Sequence, residues 1–299
     1  MPAANPKVQP PSRQPHLGNP PEYPVGQAHI IEACLHFDFV TGMFGRSYGK
    51  SAICPMLIHK EGAEARLKDQ VYEVAYVAPF YDGARTMYRM LKRVYEAGNL
   101  LSNHLGMTGG HNDSELIIHL RAMHGNKGTV IHFWGAENYD ALRGHRKHRI
   151  IVDECKDVAQ EAVFDVLLPM RLGRQGRFLF LGTPKRTGQG AGWFRMMFRR
   201  GQREEWMDKG YISFTAPTMA NPYLTEGEIR SLMDACPDVK TVLEEIYAEI
   251  LEDDGAVFTR LKEGFSVPFR QITPRLGLPA ETVKFQPYDR VYVGLDFGR

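Results

Sequence analysis

The 299 residues suffice for one large or two modest domains, and 43% hydrophobic content is normal for a chain with a sizeable core. A net charge of +2 is nearly neutral, so composition does not mark a nucleic-acid binder; the basic runs Arg143 to Arg149, Lys185-Arg186 and Arg199-Arg200 fit solvated faces as well as phosphate contacts. No apolar stretch approaches the roughly 18 residues of a membrane span, no signal-peptide core opens the chain, and Cys34, Cys54, Cys155 and Cys236 lack C-x-x-C spacing. A soluble intracellular protein with buried thiols, and without disulfides or zinc, is expected.

Residues 1–25 carry Pro2, Pro6, Pro10, Pro11, Pro15, Pro20, Pro21 and Pro24 with few apolar side chains between them, and are expected to stay disordered or extended as a tail able to bind a partner. Leu35, Phe37 and Phe39 then alternate with His36 and Asp38, the period of a strand, and lead into Gly45-Arg46-Ser47-Tyr48-Gly49-Lys50-Ser51. That segment reads as a phosphate-binding loop. Glycine lets the backbone fold back so that successive N–H groups and the following helix N-terminus surround a phosphate. Lys50 would reach the β and γ phosphates of a nucleotide, and the Ser51 hydroxyl would ligand Mg2+. The usual pattern G-x-x-x-x-G-K-[ST] has glycine where Phe44 stands, so an ordinary glycine-containing turn before a helix fits the segment too. The helix expected after Ser51 contains Pro55, which removes a backbone hydrogen bond and can kink it.

Val71 to Pro79 reads as a strand, and Ala84 to Ala97 as a helix with Met87, Met90, Leu91 and Val94 on one face. Ser114 to Leu120 and Gly128 to Trp134 read as two strands of a hairpin around Gly125-Asn126-Lys127-Gly128. Asp140 to Arg149 reads as a basic connector into the apolar run Ile150-Ile151-Val152, which ends in Asp153-Glu154 as a buried parallel strand with its active end at the carboxyl terminus would. Asp153 would hold the Mg2+ hydration shell, and Glu154 would orient and deprotonate the attacking water. The same acids also suit a helix N-terminus. Paired with the loop, in this order and with room for an intervening strand, they favour ATP hydrolysis.

Arg177 to Leu181 is a further buried strand, ending at Gly182-Thr183-Pro184. The alternation of strands and helices gives a doubly wound α/β sheet. Residues 190–250 read as helical, with Trp193, Phe194, Met197, Phe198, Ile229, Leu232, Met233, Val242, Leu243, Ile246, Tyr247 and Ile250 as packing stripes. Residues 252–290, punctuated by Gly255, Gly264, Pro268, Pro274 and Pro279, read as a linker.

The ordered set of Gly45 to Ser51, Ala78-Pro79-Phe80-Tyr81, Leu142-Arg143-Gly144, Ile151-Val152-Asp153-Glu154, Gly182-Thr183-Pro184, Asn221-Pro222-Tyr223-Leu224 and Val293-Gly294-Leu295-Asp296-Phe297-Gly298 resembles the large terminase subunits of tailed bacteriophages, motors that package DNA into capsids. The resemblance covers most of the chain from about Val40 onward. It implies an ASCE-type P-loop NTPase with a mainly parallel central sheet flanked by helices, ATP and Mg2+ as cofactors, an ATPase core over 26–190, a small helical lid with the C-terminal part of the ATPase over 191–251, the linker, and over 291–299 the first strand of a ribonuclease H-like nuclease domain. Arg46 looks like the arginine this family carries inside its phosphate loop. Thr183 matches its coupling motif, and Arg143 the arginine offered to a neighbouring subunit's ATP. Asp296 would belong to a two-metal nuclease site that cannot be completed by this sequence, so ATPase activity without nuclease activity is expected. The partners implied are double-stranded DNA, the portal protein, the small terminase subunit and other copies of the chain in a ring, in the host cytoplasm and away from membranes. A helicase or remodeller of the same NTPase class, and a non-hydrolysing scaffold with a degenerate nucleotide pocket, are the alternatives.

Overall fold

The computed structural model describes residues 26–68, 70–96, 108–120 and 128–251. The proline-rich tail, most of the 125–128 turn, the 252–290 linker and the strand carrying Asp296 lie outside the described residues.

Among the described residues, eight strands form one sheet in the order β3-β4-β5-β2-β6-β7-β1-β8: β1 Phe39–Phe44, β2 Tyr72–Ala78, β3 Thr108–Asn112, β4 Ile117–Leu120, β5 Thr129–Gly135, β6 Arg149–Val152, β7 Arg177–Gly182 and β8 Tyr211–Ala216. From β5 to β8 every neighbouring pair is parallel, with registers such as Tyr76↔Ile151, Ile151↔Leu179 and Val40↔Leu179. The expected hairpin is present as the antiparallel β4–β5 pair, and β3 extends it outward.

The central strands are apolar throughout because both faces are covered. Val74, Tyr76, Ile151, Leu179 and Leu181 pack on one side with α1 (Gln27–His36), α2 (Lys50–Leu67) and α3 (Tyr81–Glu96). Ala75, Val77, Ile150, Val152, Phe178 and Phe180 pack on the other with the 155–170 segment and α4 (Ala191–Arg200). Shorter or peripheral elements follow: α5 (Glu204–Met207), the single turn Thr218–Ala220, α6 (Glu226–Asp234) and α7 (Val239–Glu245).

Three expectations are corrected. Leu35 and His36 close helix α1, whose buried Ile30, Ile31, Ala33 and Cys34 give it a core-facing stripe; the strand before the loop starts only at Phe39. The helical reading of 190–250 misses β8, which pairs with β1 and forms the sheet edge; its Ile212 and Phe214 alternate with Tyr211 and Ser213, a period the helical reading overlooked. Within the basic connector, Lys147 and Arg149 are almost wholly buried rather than solvated. Lys147 pairs with Glu73 at 2.9 Å, and Arg149 grips Glu61 of α2 with two nitrogens and donates to the Cys34 carbonyl at 2.7 Å.

Candidate nucleotide site

Because β1, β7 and β6 are adjacent and parallel, with β7 between the other two, their carboxyl ends bring Gly45, Thr183 and Asp153-Glu154 to one edge of the sheet. Ligands of open α/β sheets collect at that edge.

Phe44 is the last residue of β1, fully buried and stacked on Tyr48 with ring centroids 4.4 Å apart. The residue in the unusual position therefore belongs to the strand, and the turn proper begins at Gly45. A Cβ at Gly45 would lie 2.5 Å from the Thr218 nitrogen, so glycine is required there for packing. Ser47 (φ 59°) and Gly49 (φ 99°) both adopt the left-handed conformation that bends the loop back toward α2. The Tyr48 side chain faces the core, where burial pushes its phenol up to about 12, so only its backbone is available to a ligand.

Neighbouring elements hold the loop from outside. The Thr218 hydroxyl donates to the Arg46 carbonyl at 2.7 Å, the Asn221 amide to the Ser47 carbonyl at 2.7 Å and the Gln27 amide to the Gly49 carbonyl at 3.0 Å. These donors turn the Arg46, Ser47 and Gly49 carbonyls outward and brace the loop.

Lys50 points across the strand ends and donates to the Thr183 hydroxyl at 3.0 Å. Burial holds its ammonium below the usual lysine range, partly offset by the Glu154 and Asp153 carboxylates. Asp153 is buried; it accepts from the Tyr76 hydroxyl at 2.6 Å through one oxygen and from the Glu154 N–H at 2.9 Å through the other. Burial raises its carboxyl, which the Tyr76 hydrogen bond opposes. The Asp153 carboxylate and the Ser51 hydroxyl at the start of α2 are the hard oxygen donors that suit Mg2+. Glu154 has φ 45° and points its half-exposed carboxylate at Lys156, 3.2 Å away.

These groups surround a cavity of about 320 Å3 lined by Arg46, Ser47, Gly49, Lys50, Ser51, Glu154, Lys156, Thr183, Lys185 and Glu245. Of the sequence-predicted residues, Gly45 and Asp153 lie behind this wall, and Tyr48 turns away. Arg143 is not part of it: the side chain pairs with Asp140 at 2.9 Å and donates to the Asp165 carbonyl at 3.3 Å. The basic runs are largely engaged within the fold. Lys185 pairs with Glu245 at 2.6 Å and Arg186 with Glu244 at 3.0 Å, while Arg200 lies over Trp206 at 4.4 Å.

Sequence reasoning missed Gln27, Tyr76, Lys156, Lys185, Thr218 and Glu245. Lys156 and Lys185 carried a signal, since Lys156 lies two residues after Asp153-Glu154 and Lys185 directly follows Gly182-Thr183-Pro184. Glu245, which meets Arg46 at 3.1 Å from a distant part of the sequence, carried none.

A strand interposed between the phosphate-loop strand and the acidic strand defines a P-loop nucleoside triphosphatase fold. No protein-family model and no curated protein matches the sequence. Solved structures do. The ATPase domain of the large terminase of Thermus phage P74-26 matches over 75% of this chain and 93% of its own, at 20% identity and a TM-score of 0.58. The large terminase of a thermophilic bacteriophage matches over 77% of this chain and 54% of its own, at 10% identity and a TM-score of 0.60. That of bacteriophage HK97 matches over 75% and 50%, at 14% and 0.54. The terminase of the thermophilic bacteriophage has been solved in complex with ADP and with ATP-γ-S. The fold is thus that of terminase ATPase domains, and the chain spans about half the length of the thermophilic-phage and HK97 terminases.

Proposed function

We propose that the chain is the ATPase part of a large terminase, a motor subunit that couples ATP hydrolysis to translocation of double-stranded DNA into a viral procapsid. The observation that carries this reading is the meeting of Lys50, Thr183 and Glu154 around one cavity at the ends of three adjacent parallel strands. The ADP and ATP-γ-S complexes of the thermophilic-phage terminase, which has the same fold, support it.

In this reading the loop from Gly45 to Ser51 cradles the phosphates, with Lys50 on the β and γ groups and Arg46 beside them. Ser51 and Asp153 hold the Mg2+ of the nucleotide, which supplies charge neutralisation when bound. Glu154 takes the proton of a water whose oxygen attacks the γ-phosphorus as the bond to the β-phosphate oxygen breaks and ADP leaves. Thr183, hydrogen-bonded to Lys50, reports loss of the γ-phosphate to β7. Arg143 acts on a neighbouring subunit's nucleotide within a ring assembled on the portal, with the small terminase subunit as a further partner, in the host cytoplasm. The scaffold alternative loses its motive, because Phe44 is a core strand residue that leaves the loop intact.

The test is ATP hydrolysis by the purified chain with and without double-stranded DNA. Hydrolysis stimulated by DNA and abolished by Glu154→Gln is expected. Tight nucleotide binding with no turnover under any condition would favour the scaffold instead.

A further inference from the structure

Lys156 has no part in the chemistry described so far, yet it lines the phosphate cavity. Its ammonium lies 3.2 Å from Glu154 Oε2 and 2.8 Å from Asp157 Oδ2, and its side chain is only 14% exposed. Its backbone is clamped as well. The Lys156 carbonyl accepts from the Gly190 N–H at 2.8 Å, and a Cβ at Gly188 would come within 2.4 Å of that same oxygen. The left-handed glycine (φ 126°) lets the 188–190 turn close down on the Cys155–Asp157 turn. Glu154, by contrast, is 41% exposed at the side chain, and an unheld glutamate at that exposure would sample several rotamers.

We propose that Lys156 is a positioning residue for Glu154: anchored by Asp157 and by the 188–190 turn, it fixes the direction from which the Glu154 carboxylate faces the attacking water. The inference rests on the reading of Glu154 as the base. Direct contact between Lys156 and phosphate is the competing role, but the ammonium already lies between two carboxylates, and Arg46, Lys50 and Lys185 supply cations to the same cavity. Two of its three N–H donors are already taken by carboxylates, so at most one is left for a phosphate oxygen.

Because a residue that acts through another adds nothing once its target is gone, a double-mutant cycle separates the two roles. Steady-state hydrolysis and single-turnover decay of radiolabelled ATP are measured for Lys156→Ala, Lys156→Arg, Glu154→Gln and the Lys156→Ala/Glu154→Gln pair, with fluorescent ATP-analogue affinity for each. Lys156→Ala should lower kcat roughly tenfold with KM changed less than about twofold, and Lys156→Arg should recover most of the loss. In the Glu154→Gln background Lys156→Ala should have no further effect. If alanine lowers the melting temperature, Lys156→Met, which keeps the buried stem, replaces it. Weakened analogue binding with losses that add in the pair would overturn the proposal in favour of phosphate contact. An inactive Glu154→Gln beside a fully active Lys156→Ala overturns the positioning role alone, whereas a fully active Glu154→Gln overturns the base assignment and this inference with it.

Discussion

Lys50 and Glu154 face the same cavity, but their loss should have opposite consequences for bound nucleotide. Lys50→Ala removes a half-buried cation that bridges to Thr183, so ATP affinity and turnover should both fall. Glu154→Gln keeps the size and hydrogen bonding of the side chain and removes only its basicity, so turnover should stop while ATP stays bound. Equilibrium binding of a fluorescent analogue, alongside phosphate release, distinguishes the two, and equal affinities would refute the division of roles. A second single residue governs stability rather than chemistry. Burial first, and the Lys147 ammonium second, push His132 from the ordinary 6.5 down to about 4. The unfolded chain therefore takes up a proton that the folded chain refuses as pH drops from about 6.5 toward 4, and stability is lost over that window. Melting temperatures measured at about pH 7.5 and about pH 5 should drop further for the wild type than for His132→Gln; equal drops would mean that His132 protonates freely in the folded state.

At the level of elements, the least expected feature is the pair that ties β6 to α2. Arg149, at the start of the acidic strand, is fully buried against Glu61, with Lys147 close by on Glu73. Arg149→Leu leaves the Glu61 carboxylate buried without its cation, which should cost about 3–5 kcal/mol, whereas Arg149→Met combined with Glu61→Leu should recover most of it. Urea unfolding of these variants beside the wild type checks this, and a double variant no better than the single one would place the cost in packing instead. The pair also shows where legibility stopped. Apolar runs such as Ile150-Ile151-Val152 and Phe178-Leu179-Phe180 announced the central strands, because a strand covered on both faces must be apolar at every position. The Gly45–Ser51 and Asp153-Glu154 segments could be found because their chemistry demands adjacent residues at a strand end. Arg149 looked like the end of a basic stretch since its partner lies 88 positions away, and Glu245 stayed unseen for the same reason. The alternation of Leu35, Phe37 and Phe39 misled because helix α1 buries Ile30, Ile31 and Cys34 on a different period that passes through Leu35.

At the scale of the whole molecule, the site as folded contains its own lysines and one loop arginine, but Arg143 stands apart from the cavity wall. It follows the Ala136–Leu142 turns, half exposed, on Asp140 and the Asp165 carbonyl. Both contacts are weak anchors: an exposed ion pair contributes about 0–1 kcal/mol, so the guanidinium is free energetically to leave for a better anion. An arginine supplied to a neighbour's nucleotide adds roughly three to five orders of magnitude to phosphoryl transfer, and one supplied to nothing adds none. Specific activity of the wild type should therefore rise with protein concentration, or with DNA that gathers subunits, while Arg143→Ala should match it in dilute solution and fail to rise. Mixing offers the sharper comparison. Arg143→Ala retains an intact cavity and Glu154→Gln an intact arginine, so at concentrations where the wild type is stimulated a mixture of the two should exceed the activity of Arg143→Ala alone. A mixture that does not exceed it, with Arg143→Ala already impaired as a monomer, would mean that the arginine works within its own chain.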